Sequence, residues 1–88
     1  MNRIQFKKIN KDNVEELCEV IATYHDDNTN KDFIIYTNGK YTESNKLMLY
    51  YSLYKYVDNN IELINIETSE DKKIGLLLIQ ELIKDINN

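Results

Sequence analysis

An α+β fold, with an antiparallel β-meander of four to five strands and one C-terminal α-helix packed on one face, follows from three features of this sequence. Short runs of β-branched and aromatic residues recur between Asn- and Asp-rich turn clusters. The connections between those runs are too short for crossovers, so neighbours in sequence pair antiparallel. After residue 68 the apolar spacing changes from two residues to about 3.6, the period of a helix. The 88 residues make one small domain, 1–88, with 1–17 the least determined part, a sheet over 18–66 and a helix over 68–86. A chain of this size buries only about 60–65% of its unfolded surface, so the core is small.

Each element has its own justification. IQFKKI at 4–9 alternates through Ile4, Phe6 and Lys8 and then slips at Ile9, a weak strand signal, and the polar cluster at 10–13 is a turn. The next stretch carries two conflicting signals. Val14, Leu17, Cys18, Ile21 and Ala22 stand at helical spacing, with Asp12 and Glu15 set as a capping box, which predicts a helix over 13–22. CEVIATY, beginning at Cys18, has instead the β-branched and aromatic content of a strand and runs into the turn HDDNTN at 25–30.

Later elements are clearer. DFIIYT at 32–37, ended by Asn38-Gly39, is a strand. Residues 47–56 alternate: Met48, Tyr50, Ser52, Tyr54 and Tyr56 share one face, and Leu47, Leu49, Tyr51, Leu53 and Lys55 the other. Residues 58–60 turn the chain into IELINI at 61–66. Thr68 or Ser69 caps the helix, and Glu70 and Asp71 suit its positive end. Ile74, Leu78, Ile79, Leu82, Ile83 and Ile86 form its apolar stripe, and Leu77 lies off it, exposed. Gly75 falls within the stripe. It costs about 1 kcal/mol of helix propensity relative to Ala, which a close approach of helix to sheet would justify.

Four segments in register, CEVIATY, KDFIIYTN, LYYSLY and ELINIET, followed by a helix, together resemble a family of small uncharacterised bacterial proteins, domain of unknown function 1292. The resemblance spans residues 16–70 and implies a strand through 18–24, against the helical spacing there, leaving 13–17 open. It brings no activity, substrate or catalytic residue. The chain departs from the family pattern at Asn65, where Pro is usual, and in EDKKIG, where a Trp is usual, so the docking of the helix is expected to differ.

Little in the sequence looks like chemistry. Cys18 is the only cysteine, which excludes an internal disulfide and fits a reducing compartment. MNRIQFKKINKDN has basic residues but no apolar run behind them, and no stretch approaches 18 apolar residues; a cytoplasmic protein without a membrane span is expected. His25, Asp26 and Asp27 read as a solvated turn rather than a metal or general-base site, and Cys18 with His25 has no recognised ligand or nucleophile spacing. Two glycines leave no phosphate-cradling loop, and the paired carboxylates have no identifiable partner. The expectation is a non-enzymatic chain with no cofactor and no metal.

The remaining feature is LYYSLYKY at 49–56, which holds four of the seven tyrosines. Because Tyr51 shares its face with Leu49 and Leu53, that face is expected under the helix, leaving Tyr50, Ser52, Tyr54 and Tyr56 on the outer face with Tyr36 across from them. Aromatic cross-strand packing is the plain account of such a row. As a candidate site, Tyr36, Tyr50, Ser52, Tyr54 and Tyr56 form a face for a cytoplasmic protein partner, since tyrosine supplies large contact area at low entropic cost. The alternative is a nucleic-acid-associated accessory protein stacking bases on the row, against which stands a net charge of −4. Open sheet edges without proline, at 32–37 or 61–66, leave a monomer or a weak homodimer open.

Overall fold

The computed structural model describes residues 4–86. Five strands, β1 (Gln5–Ile9), β2 (Glu15–Asp26), β3 (Lys31–Thr37), β4 (Tyr50–Val57) and β5 (Asn60–Ile64), form one antiparallel sheet in the order β1-β2-β3-β4-β5, and α1 (Ser69–Ile86) follows. The predicted meander and C-terminal helix are both present. The sheet reaches further toward the N-terminus than 18–66, while β4 begins at Tyr50 rather than 47 and β5 stops at Ile64 rather than 66. Residues 40–48 instead make a small hairpin of their own, bridged at Tyr41 and Leu47.

Residues 15–22 are strand, not helix; Val14 and Leu17 are exposed, and the helical spacing from Cys18 to Ala22 is a product of a β-bulge. Val20 pairs with Tyr36 and Ala22 with Ile35, so Ile21 is the extra residue. Before the bulge Cys18 and Val20 point to one face; after it Ala22 and Tyr24 point to the other. One inserted residue thus turns an alternating pattern into one that mimics a helix. Glu15, expected in a capping box, lies in β2 and pairs with Lys7 across the strands at 3.1 Å.

With so few glycines, asparagine supplies the left-handed backbone in the turns. Asn13, Asn30, Asn45, Asp58 and Asn59 all have positive φ, 52–68°. Two loops share one design: Asn13 N–H donates to Asn10 O and Asn45 N–H to Thr42 O, closing type I turns before the left-handed residue. In each, the first residue's side chain also accepts from the amide four positions on, Val14 N–H to Asn10 Oδ1 and Lys46 N–H to Thr42 Oγ1. Asp58-Asn59, both left-handed, form the two-residue type I′ turn between β4 and β5.

α1 lies across β3 and β4. Thr68 is its cap, since Thr68 Oγ1 accepts from Asp71 N–H at 3.1 Å and Thr68 O from Lys72 N–H. Leu78 and Leu82 face Ala22, Tyr24, Phe33 and Ile35, and Gly75 rests on the ring of Tyr51. The face of Tyr51 and Leu53 is therefore the one beneath the helix, as the sequence implied. Ile74, Leu78, Ile79 and Leu82 are half-buried, so each contributes toward the low end of the about 1.5–3 kcal/mol of full burial. Leu77 is exposed as expected, but Ile83 is exposed too, and the Ile86 side chain lies outside the described residues.

The opposite face holds the other half of the core. Phe6, Cys18, Ile34 and Tyr36 are buried there, with Val20, Tyr50, Tyr54, Ile61 and Leu63 packed around them. Ile34 is 0% exposed although α1 lies on the far side of the sheet. The sheet achieves this by coiling. A flat five-stranded sheet would hold β1 and β5 about 19 Å apart, yet one cleft is lined by Lys7, Lys8 and Ile9 of β1 together with Ile61, Glu62 and Leu63 of β5. The tyrosine row thus lines the inside of an open half-barrel, and the expectation of an outer face is corrected. Right-handed twist, bulge and all-antiparallel pairing together favour this curl.

Candidate binding cleft

Register places Tyr36 opposite Tyr50 and Ile34 opposite Ser52, so the row continues from β3 onto β4. Tyr36, 5% exposed, stacks on Tyr50 with centroids 5.5 Å apart and planes at 24°, and Phe6 meets Tyr36 edge-on at 5.5 Å. These are favourable aromatic geometries, worth about 0.5–1.5 kcal/mol each beyond burial. Tyr50 is half-buried, and its OH accepts from Asn38 Nδ2 at 3.4 Å. Ser52 is buried, its hydroxyl 2.8 Å from Ile64 O and 2.9 Å from Leu53 O, and donates to the backbone rather than to solvent. Tyr54 is half-buried, its phenol pushed up in pKa chiefly by desolvation and partly offset by a hydrogen bond with Thr23. Tyr56, 59% exposed, meets Tyr54 edge-on at 5.7 Å.

Of the five residues expected to present a surface, Tyr36 and Ser52 are therefore interior, Tyr50 and Tyr54 are partly covered, and Tyr56 alone is open. Cross-strand aromatic packing accounts for most of the row. The cleft beside it is built from residues the sequence reading had not joined. Lys8 follows Phe6 on the same face of β1, and its ammonium lies 5.4 Å from the Tyr36 ring and 5.8 Å from that of Tyr50, donating to Tyr36 OH at 3.3 Å. Desolvation works against this charge, but the hydrogen bond to Tyr36 and the negative potential of Tyr36, Cys18 and Glu16 outweigh it, so Lys8 titrates above its ordinary value. Alternation through Phe6–Lys8 and Ile61–Leu63 was the available signal for these positions. What it could not show was that the two edges meet.

The cleft between the edges has a volume of about 580 Å³. Tyr36, Ile61 and Leu63 give it an apolar floor, and Lys8 and Lys72 give it positive charge. Lys7 is engaged by Glu15, and Glu62 faces Lys55 at 3.9 Å. Both bordering edges offer backbone groups. Val20 N–H donates to Ile4 O and Asn10 N–H to Val14 O, so even-numbered residues of β1 bond β2, and the amides and carbonyls of Lys7 and Ile9 point outward. In β5 the type I′ turn makes Asn60, Glu62 and Ile64 the residues bonded to β4, which turns Ile61 and Leu63 outward.

The other candidates resolve into structure. Asp26 Oδ2 accepts from Thr29 N–H at 3.0 Å and from Thr29 Oγ1 at 2.6 Å, fixing the β2–β3 turn. His25 Nδ1 lies 2.7 Å from Asp32 Oδ1 across that hairpin. Cys18 is buried in the apolar cluster, its thiol pKa raised by desolvation and then by Glu16, and about 23 Å of strand separates it from His25. Among the described residues no group of three or more His, Cys, Asp or Glu side chains is placed to hold a metal ion, and no helix is long and apolar enough to cross a membrane. No family model, curated protein or solved structure matches this chain.

Proposed function

We propose that this chain is a non-enzymatic protein-binding or regulatory module of the cytoplasm, related to domain of unknown function 1292, and that it engages its partner at the cleft between β1 and β5. The observation that carries this reading is the convergence of two strand edges unpaired among the described residues, an apolar floor and the lysine charge of Lys8 and Lys72 on one cleft. Protein partners use such combinations, with backbone groups giving affinity and pockets giving selectivity. The nucleic-acid alternative has less to draw on: the interior placement of Tyr36 and Ser52 removes the middle of a stacking platform, and Tyr56 is the one open ring of the row.

Affinity capture from the native cytoplasm tests the reading when wild type is compared with Lys72→Glu, an exposed position in the cleft. A protein retained by wild type and depleted by the variant is expected. Retention of nucleic acid, or of nothing beyond an unrelated acidic control protein, contradicts it. A labelled single-stranded oligonucleotide is expected to show no mobility shift at low salt and micromolar protein.

A further inference from the structure

The direction of the strands says how the cleft is filled. β1 and β5 are separated by four antiparallel steps and so run parallel to one another. They cannot continue the antiparallel pattern by closing directly onto each other, but a single extended segment running against both pairs antiparallel with each. We propose that the cleft receives such a segment from a partner protein as a sixth strand, and that this segment combines apolar residues with Asp or Glu. The proposal rests on the protein-binding reading above and specifies its mode.

Backbone groups are in place on both sides: Lys7 and Ile9 on β1, Ile61 and Leu63 on β5. An inserted strand turns alternate side chains inward, onto Tyr36, Ile61, Leu63 and Lys8, so an acidic residue that meets Lys8 shares the inward face with apolar neighbours. The charge is asymmetric. Of the charged side chains lining the cleft, Lys7 and Glu62 already have partners of opposite sign within the sheet, whereas Lys8 donates to the Tyr36 hydroxyl and shares Glu16, across from it on β2, with Lys40 at 3.5 Å, and Lys72 stands at the exposed start of α1. Two positive charges on a protein of net charge −4 select an acidic segment locally while its surroundings repel acidic chains in general. A second copy of the chain is the less fitting occupant, because two copies bring −4 against −4 and β5 itself carries Glu62.

Selection of random decapeptides displayed on phage against the immobilised full chain tests this, followed by amide exchange of the protein with the enriched peptide bound. Enriched sequences are expected to combine apolar with acidic residues, to slow exchange at Lys7, Ile9, Ile61 and Leu63, and to bind at least tenfold more weakly to Lys8→Glu/Lys72→Glu. A second variant, Lys7→Pro, removes one outward N–H without using a ladder bond and is expected to weaken binding while leaving the thermal midpoint within a few degrees. Enriched peptides without acidic residues, or peptides that protect amides elsewhere, overturn the sixth-strand proposal and leave a protein-binding module standing. Failure to enrich any peptide overturns the sixth-strand proposal as well, and a native-cytoplasm capture that is also blank removes the module reading with it. A mass of twice 10.5 kDa in sedimentation of the free protein, with Lys7, Ile9, Ile61 and Leu63 already protected, assigns the cleft to a second copy and overturns the proposal.

Discussion

A Cβ placed on Gly75 would lie 2.1 Å from Cδ2 of Tyr51, closer than any side chain tolerates. The helix approaches β4 this closely because position 75 has no side chain, and the Tyr51 ring fills the space. Gly75→Ala gains about 1 kcal/mol of helix propensity but overpacks the ring contact at a cost of about 1–3 kcal/mol. A net loss of up to about 2 kcal/mol is expected in urea denaturation. The loss should shrink when Tyr51 is first replaced by Leu, because the two substitutions share one contact. A higher midpoint for Gly75→Ala alone contradicts this packing.

The start of α1 is tied to the sheet through a second long-range pair. Asp71, 2% exposed, accepts from Lys31 Nζ at 2.6 Å. The hydrogen bond to Lys31 is the main reason its carboxyl titrates below the ordinary range; burial opposes this, and Thr68 and the Lys31 charge add to it. A depressed carboxylate contributes stability that is fully present above its unfolded value and is lost as pH falls through the folded one. Thermal midpoints are therefore expected to drop below about pH 4, and to drop less in Asp71→Asn, which is less stable at pH 7. Lys31→Met should be worse than Asp71→Asn at pH 7, since it leaves a buried charge unpaired.

His25 works in the opposite sense. Its hydrogen bond to Asp32 chiefly, with Asp32, Asp27 and Asp26 as nearby charges and desolvation opposing, raises its pKa. A raised imidazole contributes stability below its unfolded value of about 6.5 that is lost as pH rises through the folded value. Proton NMR of the single histidine is expected to give a pKa above 6.5 that falls toward it in Asp32→Asn. An unchanged titration in the variant would show that the pair is not formed in solution.

The left-handed asparagines make a third kind of prediction. For non-glycine residues other than Asn and Asp, that conformation costs roughly 1–2 kcal/mol. Asn45→Ala is expected to lose about 1 kcal/mol, and Asn45→Gly to be neutral or slightly stabilising, in the same denaturation assay. Equal losses for both would place the cost in the asparagine side chain rather than the backbone.

How much of this was readable from the sequence depended on whether a feature is local. The cap at Thr68, the turn residues, the Tyr50–Tyr56 alternation and the reason for Gly75 are set by neighbouring residues, and the structure agrees with them. The bulge at Ile21 was not readable as such, because one extra residue converts a period of two into something close to a helical repeat. The inward turn of the tyrosine row was missed for a different reason. Alternation tells which residues share a face, but curvature decides whether that face is convex or concave, and curvature is a property of the whole sheet. For the same reason Lys8 and Leu63, 55 residues apart, could not be placed on one cleft from their own segments.

Amide exchange of the free protein, residue by residue along the two edge strands, tests the open half-barrel most directly. Slow exchange is expected at Phe6, Lys8, Glu62 and Ile64, whose N–H groups bond β2 or β4, with fast exchange at Lys7, Ile9, Ile61 and Leu63, which face the cleft. Protection of the second set equal to that of the first would mean that the two edges are already paired, and the cleft proposed to receive a partner would not exist.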